Sequence, residues 1–190
     1  MDEFIAYLKE VRTLQKKVYL YDELFCHTES LEVLGKANQA TFRMFQEALN
    51  TEIIVGLSAL FDSEGDAHEP NLSQRYFVQN FGTPLTPREE SLKKTTTDLL
   101  CKLNVKPYRN KYLGHKSLQH FLHRDVTRHS LETYKVIELL NASYSLVQEI
   151  QVRTFDLDRH QLVERKQRLP EKQSGKALIK MLSKYNESLK

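Results

Sequence analysis

Apolar residues recur at steps of three and four along most of this 190-residue chain, and that spacing limits its fold more than any other feature. Phe4, Leu8, Val11, Leu14, Val18 and Tyr21 mark a first helix that starts at an Asp2 cap and runs to about Cys26. Ser30 opens a second, whose face is carried by Leu31, Leu34, Phe42, Phe45, Leu49, Gly56 and Leu60 to Phe61, where Asp62-Ser63-Glu64-Gly65-Asp66 ends it. A short helical stretch follows from Asn71 to Phe81, then the breaker Gly82-Thr83-Pro84-Leu85-Thr86-Pro87. Thr86 caps the next helix, with Pro87 at its first position and Glu89-Glu90 in its first turn, where the dipole favours anions. That helix runs through Leu92, Leu99, Leu100 and Leu103 toward Pro107, which breaks or restarts it; a turn or two more reaches Leu113, with Gly114 just past the end. The last long helix, from about Arg124 to Phe155, presents Leu131, Tyr134, Ile137, Leu140, Tyr144, Val147 and Ile150. Glycine and proline number only six and five, and strand-like alternation is absent. The pattern therefore predicts an all-α protein: an antiparallel four-to-five-helix bundle over residues 1–155.

Residues 156–190 are polar and basic, broken by Pro170 and Gly175. Leu178, Met181, Leu182, Tyr185 and Leu189 keep a narrow apolar stripe there, with Lys176, Lys180 and Lys184 on another face. This is either an appended C-terminal helix, docked on the bundle or on a partner, or a solvated tail. Cys26 and Cys101 are the only cysteines and form no metal-binding or disulfide pattern, so reduced thiols are expected. The start Met1-Asp2-Glu3 is acidic, unlike a secretory signal, and no apolar run approaches the roughly 18 residues of a membrane span. A soluble, cytoplasmic protein without membrane contact is the expectation.

The net charge of +3 is uninformative until it is divided along the chain. Lys102 to Arg128 holds seven basic residues and one acid; from Asp156 onward there are nine and five, which leaves the remainder at −7. Two basic segments thus sit on an acidic body, an asymmetry that suits a polyanionic partner. Within the first lies Tyr108-Arg109-Asn110-Lys111-Tyr112-Leu113-Gly114-His115. An imidazole titrating near neutrality can move a proton, and a guanidinium can hold phosphate oxygens bidentately. Together they suffice for metal-free RNA cleavage by 2′-OH attack on the neighbouring phosphate, with His115 as general acid or base and Arg109 stabilising the transition state. Asn110 would position groups, since an amide exchanges no proton near pH 7. At about 100° per residue, Arg109 and His115 lie roughly 120° apart on a continuous helix. Either the turn at Gly114 swings His115 back, or a second subunit supplies the partner group.

Arg109-Asn110 with His115 resembles the R-(polar)-x(4–6)-H signature of HEPN domains, all-helical bundles of prokaryotic toxins, abortive-infection proteins and RNA-processing nucleases. The stretch Glu52-Ile53-Ile54-Val55-Gly56-Leu57-Ser58-Ala59-Leu60-Phe61-Asp62, closing a long second helix ahead of a polar loop, is similar to the AbiU2-type branch, and the likeness spans about Ser30 to Ile150. The resemblance implies a HEPN-like bundle and a homodimer whose two motif copies face one cleft. It implies Arg109, Asn110 and His115 as catalytic residues, and an antitoxin or other defence-operon protein as a partner. Where family toxins paired with a nucleotidyltransferase antitoxin carry a Tyr two residues after the His, this chain has Ser117.

Lys111, Lys116, Arg124 and Tyr112 are the candidate RNA contacts around this motif. Tyr108, Tyr112 and Phe121 interleave with the basic residues and either stack on bases or fill the core. His120 and His123, with His115 and His129, permit a metal site only weakly, because Asp125 is the one acidic ligand nearby and zinc needs three protein ligands. Neither metal nor organic cofactor is expected. Glu52 shares the face of Phe45, Leu49, Gly56 and Leu60, so its carboxylate is either a paired acid that orients Arg109 or His115, or an edge group that reaches water. The reading is a metal-independent endoribonuclease of the toxin or phage-defence type. Its rival is a non-catalytic module of the same fold that binds RNA or protein.

Overall fold

The computed structural model describes residues 1–63, 65, 68, 70–105, 131–158, 162 and 167–188. Within them six α-helices follow one another: α1 Asp2–Phe25, α2 Thr28–Leu60, α3 Gln74–Phe81, α4 Pro87–Leu103, α5 Thr133–Phe155 and α6 Gly175–Ser188, the last preceded by a 3-10 turn at Glu171–Gln173. The described residues contain no strand, only a bridge between Gly65 and Pro70. Helix α1 packs on α2, α5 and α6, while α5 packs on α1, α3 and α4. Cross-links fix the directions. Asp22 near the end of α1 meets Thr133 at the start of α5, whereas Met1 meets Gln151 near its end. Glu89 at the start of α4 meets Arg153 at the end of α5, so neighbours run antiparallel and the all-α bundle is the observed architecture.

Every apolar position expected to face inward on α1 is buried, from Phe4 to Tyr21. Phe4 lies within 4.6 to 5.6 Å of Phe77, Phe81 and Phe155, so two other helices, α3 and α5, meet on one ring. The helix begins one residue earlier than expected. Met1 is its N-cap and makes no side-chain cap bond, and Asp2 joins Glu3 in the first turn, where the dipole favours both.

Helix α2 departs further from the single face read from the sequence. Asn38 leaves helical geometry (φ −169°, ψ 91°), and its Oδ1 accepts from the Thr41 amide at 3.1 Å, a local N-cap that restarts the helix. The break resets the phase of the apolar stripe. Leu34 before it and Ile53, Ile54, Leu57 and Leu60 after it are buried, whereas Leu31, Met44 and Phe45 face outward. His27, not Ser30, caps the start, and the Ser30 hydroxyl donates instead to the Glu23 carbonyl at 2.9 Å.

Thr86 caps α4 as read from the sequence: its hydroxyl accepts from Glu89 N, and Glu89 Oε2 accepts from Thr86 N at 2.7 Å, with Pro87 in the first turn. Helix α5 begins at Thr133 rather than near Arg124, because Leu131 and Glu132 are non-helical, Leu131 is buried and Glu132 takes the cap position. Tyr134, expected inward, is exposed; Val136, Leu139 and Leu146 carry the core face beside Leu140, Val147 and Ile150. Between α1 and α5 the core is crossed by polar links. Tyr7 pairs with Ser143 at 2.7 Å, Gln15 donates to Asn141 at 2.8 Å, and the buried Arg12 donates to Gln15 and lies over the Tyr144 ring. Helix α6 lies against α1 and α2. Its packing face is Leu178, Ile179 and Leu182, and the expected stripe residues Met181 and Tyr185 point to solvent.

Candidate functional site

The basic segment that carries the Arg/His motif lies between α4 and α5 in the chain, and the structure describes the residues that flank it. Asn104 closes α4 in the left-handed region (φ 50°), its amide donating to the Leu100 carbonyl at 3.2 Å. Val105 beyond it and Leu131 on the return side are both buried. Two residues after Leu131, the Thr133 hydroxyl donates to Asp22 Oδ1 at 2.6 Å, and the other Asp22 oxygen lies 3.5 Å from His27 Nε2. One carboxylate therefore joins the end of α1, the start of α2 and the start of α5. Cys26 shares this corner, where burial and the neighbouring Asp22 charge push its thiol above the ordinary range. Sequence reading missed the corner because its members are far apart in the chain and each looks like an ordinary helix-end residue.

Arg109, Asn110, His115, Lys111, Tyr112, Lys116 and Arg124 lie outside the described residues, as do Tyr108, Ser117, Phe121, Asp125 and the histidines at 120, 123 and 129. Glu52 is described, and it faces outward. Its side chain is 57% exposed and forms an ion pair with Lys17 across the α1–α2 seam. The α2 break turns Ile53, Ile54 and Leu57 inward and leaves Glu52 on the rim. The carboxylate reaches water at this edge, and Arg109 and His115, which it was expected to orient, lie outside the described residues.

Among the open grooves of the described bundle, two are the largest. The one between α1 and α2, about 570 Å³, is lined by Glu10, Glu52 and Asp62 with Lys17, and Gly56 lets Leu14 approach its floor at 3.0 Å from where a Cβ would stand. The other, about 520 Å³, lies between α3 and α4; Phe61, Val78 and Leu100 give it apolar walls, and Arg75 and Lys93 give it positive charge. Among the described residues no group of three or more His, Cys, Asp or Glu could hold a metal ion, and no helix is long and apolar enough to cross a membrane.

A family model described as AbiU2, of the HEPN group, matches residues 1–168, a stretch that includes the Arg109-Asn110…His115 motif and all of α1 to α5. No curated protein and no solved structure matches the chain.

Proposed function

The chain belongs to the AbiU2 family of HEPN domains, and from that premise we propose that it is a metal-independent endoribonuclease of the abortive-infection type. The observation that carries the proposal is the family match itself, because it spans the one segment in which an imidazole, a guanidinium and an amide occur together in the HEPN order.

In this reading the RNA 2′-oxygen attacks the adjacent phosphorus, the new O–P bond forms as the bond to the 5′-oxygen breaks, and the ends are a 2′,3′-cyclic phosphate and a 5′-hydroxyl. His115 takes the 2′-OH proton or supplies the proton to the leaving 5′-oxygen. Arg109 holds the phosphate oxygens as charge grows on them, and Asn110 orients the reacting groups. Lys111, Lys116 and Arg124 bind neighbouring phosphates, and Tyr112 stacks on a base. A homodimer brings two copies of the motif to one cleft, which supplies the second proton-transfer group that one His115 lacks. Residues 1–155 form the catalytic bundle and 156–190 an extension. An antitoxin or other defence-operon protein restrains the activity inside the cell.

The buried attachments at Val105 and Leu131 support the reading: they give the reactive segment fixed ends on a rigid scaffold. The test incubates purified protein with total RNA in EDTA, alongside His115→Ala and Arg109→Ala. Cleavage that yields cyclic phosphate ends and is lost in both variants is the expected result. Equal cleavage by wild type and His115→Ala would refute the assignment, and intact RNA with retained binding would mark the non-catalytic module instead.

A further inference from the structure

We propose that the groove between α3 and α4 is a subsite for one unpaired base of a single-stranded RNA and its adjoining phosphate; the proposal rests on RNA being the substrate, as argued above. A pocket of roughly 300–1,000 Å³ with apolar walls and a few placed polar groups is the usual form of a small-ligand site, and this one holds about 520 Å³.

The decisive feature is Gln74. The residue is more than nine-tenths buried, its Nε2 donates to the Thr96 hydroxyl at 3.0 Å, and its Oε1 has no hydrogen-bond partner among the described residues. The Thr96 hydroxyl donates to the Lys93 carbonyl at 2.8 Å and accepts from the Gln74 amide, so in this arrangement the Gln74 Oε1 is the atom left over. Gln74 lines the groove. A buried acceptor without a donor is costly; Oε1 is closed to solvent where it stands, and a ligand N–H relieves that cost once the Gln74 side chain turns toward the groove.

The remaining lining fits a nucleotide unit. Phe61, Val78 and Leu100 offer apolar surface for the faces of a planar base. Lys93 and Arg75 supply positive charge, and no carboxylate occurs among the described lining residues, in contrast to the three on the α1–α2 groove. Among the described residues Lys93 pairs with Glu90 at 3.8 Å, an exposed pair that a phosphate can displace. The groove also has the right place in the chain. Cys101 closes it on the last turn of α4, eight residues before Arg109.

Cys101 supplies the test, because replacing Cys26 with Ser leaves it as the sole thiol. In full-length Cys26→Ser, His115→Ala protein, which keeps the RNA uncut, alkylation of Cys101 by N-ethylmaleimide is timed by mass spectrometry with short oligoadenylate, AMP or inorganic phosphate present. Oligoadenylate is expected to slow the reaction strongly, AMP to do so only at higher concentration, and phosphate alone to leave it unchanged. Lys93→Ala and Gln74→Met should each raise the half-protecting concentration by roughly fivefold to tenfold, the size of one lost polar contact, with the helical circular dichroism retained. An unchanged rate with oligoadenylate overturns the subsite, as does protection undiminished in both variants. Protection by AMP but not by oligoadenylate would overturn the RNA assignment in favour of a free nucleotide. If oligoadenylate protects Cys101 while the wild type leaves RNA intact, cleavage fails and the subsite stands; cleavage without protection removes the subsite alone.

Discussion

Replacing Glu89 by Ala tests how the scaffold beneath the proposed site is held. Glu89 is 1% exposed, and both its oxygens are engaged: Oε2 accepts from Thr86 N at 2.7 Å and Oε1 accepts from Arg153 Nε at 3.1 Å. Arg153 also donates to the Phe81 carbonyl at 3.0 Å, so one carboxylate couples the start of α4 to the end of α5 and, through Arg153, to the end of α3. Truncation removes the reciprocal half of the capping box, worth about 1 kcal/mol, and a charge-assisted hydrogen bond of about 1.5–3 kcal/mol. The 3–5 kcal/mol of a broken, fully buried pair does not apply, because Arg153 is about a third exposed and can turn to water. The sum is a loss of roughly 2–4 kcal/mol. For a chain of this size, at about 2–4 °C per kcal/mol, the melting point should fall by roughly 5–15 °C. Urea denaturation followed at 222 nm reads the free energy directly, and Glu89→Gln, which keeps one acceptor, should lie between wild type and Glu89→Ala. A change below about 0.5 kcal/mol in Glu89→Ala, the scatter of ordinary surface substitutions, would refute the account.

Other expectations follow from single contacts. Gly175→Ala places a Cβ 2.9 Å from the Glu23 Cβ and 3.1 Å from Leu24 Cγ, so α6 must shift; trypsin should then cut at Lys176, Lys180 and Lys184 faster than in wild type, and an unchanged cleavage rate would show that α6 is not held there. Burial pushes the Tyr7 phenol far above its ordinary value near 10, so the folded state keeps a proton that the unfolded chain releases. Stability should therefore fall as pH rises above about 10, more steeply than in Tyr7→Phe, and parallel pH profiles of the two in urea melts would count against this. Asn38→Ala removes the cap at the α2 break and should cost about 1 kcal/mol, read by the same urea melt, with no loss expected only if the break is not capped by its side chain. Glu52→Gln loosens an exposed pair with Lys17 and should change stability by less than about 1 kcal/mol, whereas a larger loss would mean that the carboxylate is anchored in the core.

Local signals in the sequence were sufficient wherever a short window contained the whole cause. The stripe of α1 is buried along its length because one unbroken helix keeps its phase, and the Thr86-Pro87…Glu89 start of α4 needs only three neighbouring residues to close its box. The same logic failed on α2, where an asparagine with ordinary helical neighbours became a cap and rotated everything after it, bringing Ile53 and Ile54 inward and leaving Phe45 and Glu52 outside. It failed at the start of α5 as well, since the apolar spacing through Leu131 continues across residues that are not helical.

The candidate site divides along the same line. Residue chemistry and order single out Arg109, Asn110 and His115, because an imidazole and a guanidinium announce their reactions by type, and the family match covers them. Nothing in sequence order connects Asp22, His27 and Thr133, or sets Gln74 beside Thr96 with one acceptor unpaired. Hydrophobic periodicity records which side of a helix is turned from water, and so it determined the fold class and most of the helices of this protein. Which buried polar groups meet, and which is left without a partner, depends on distances between helices far apart in the chain, and only their packing decided it.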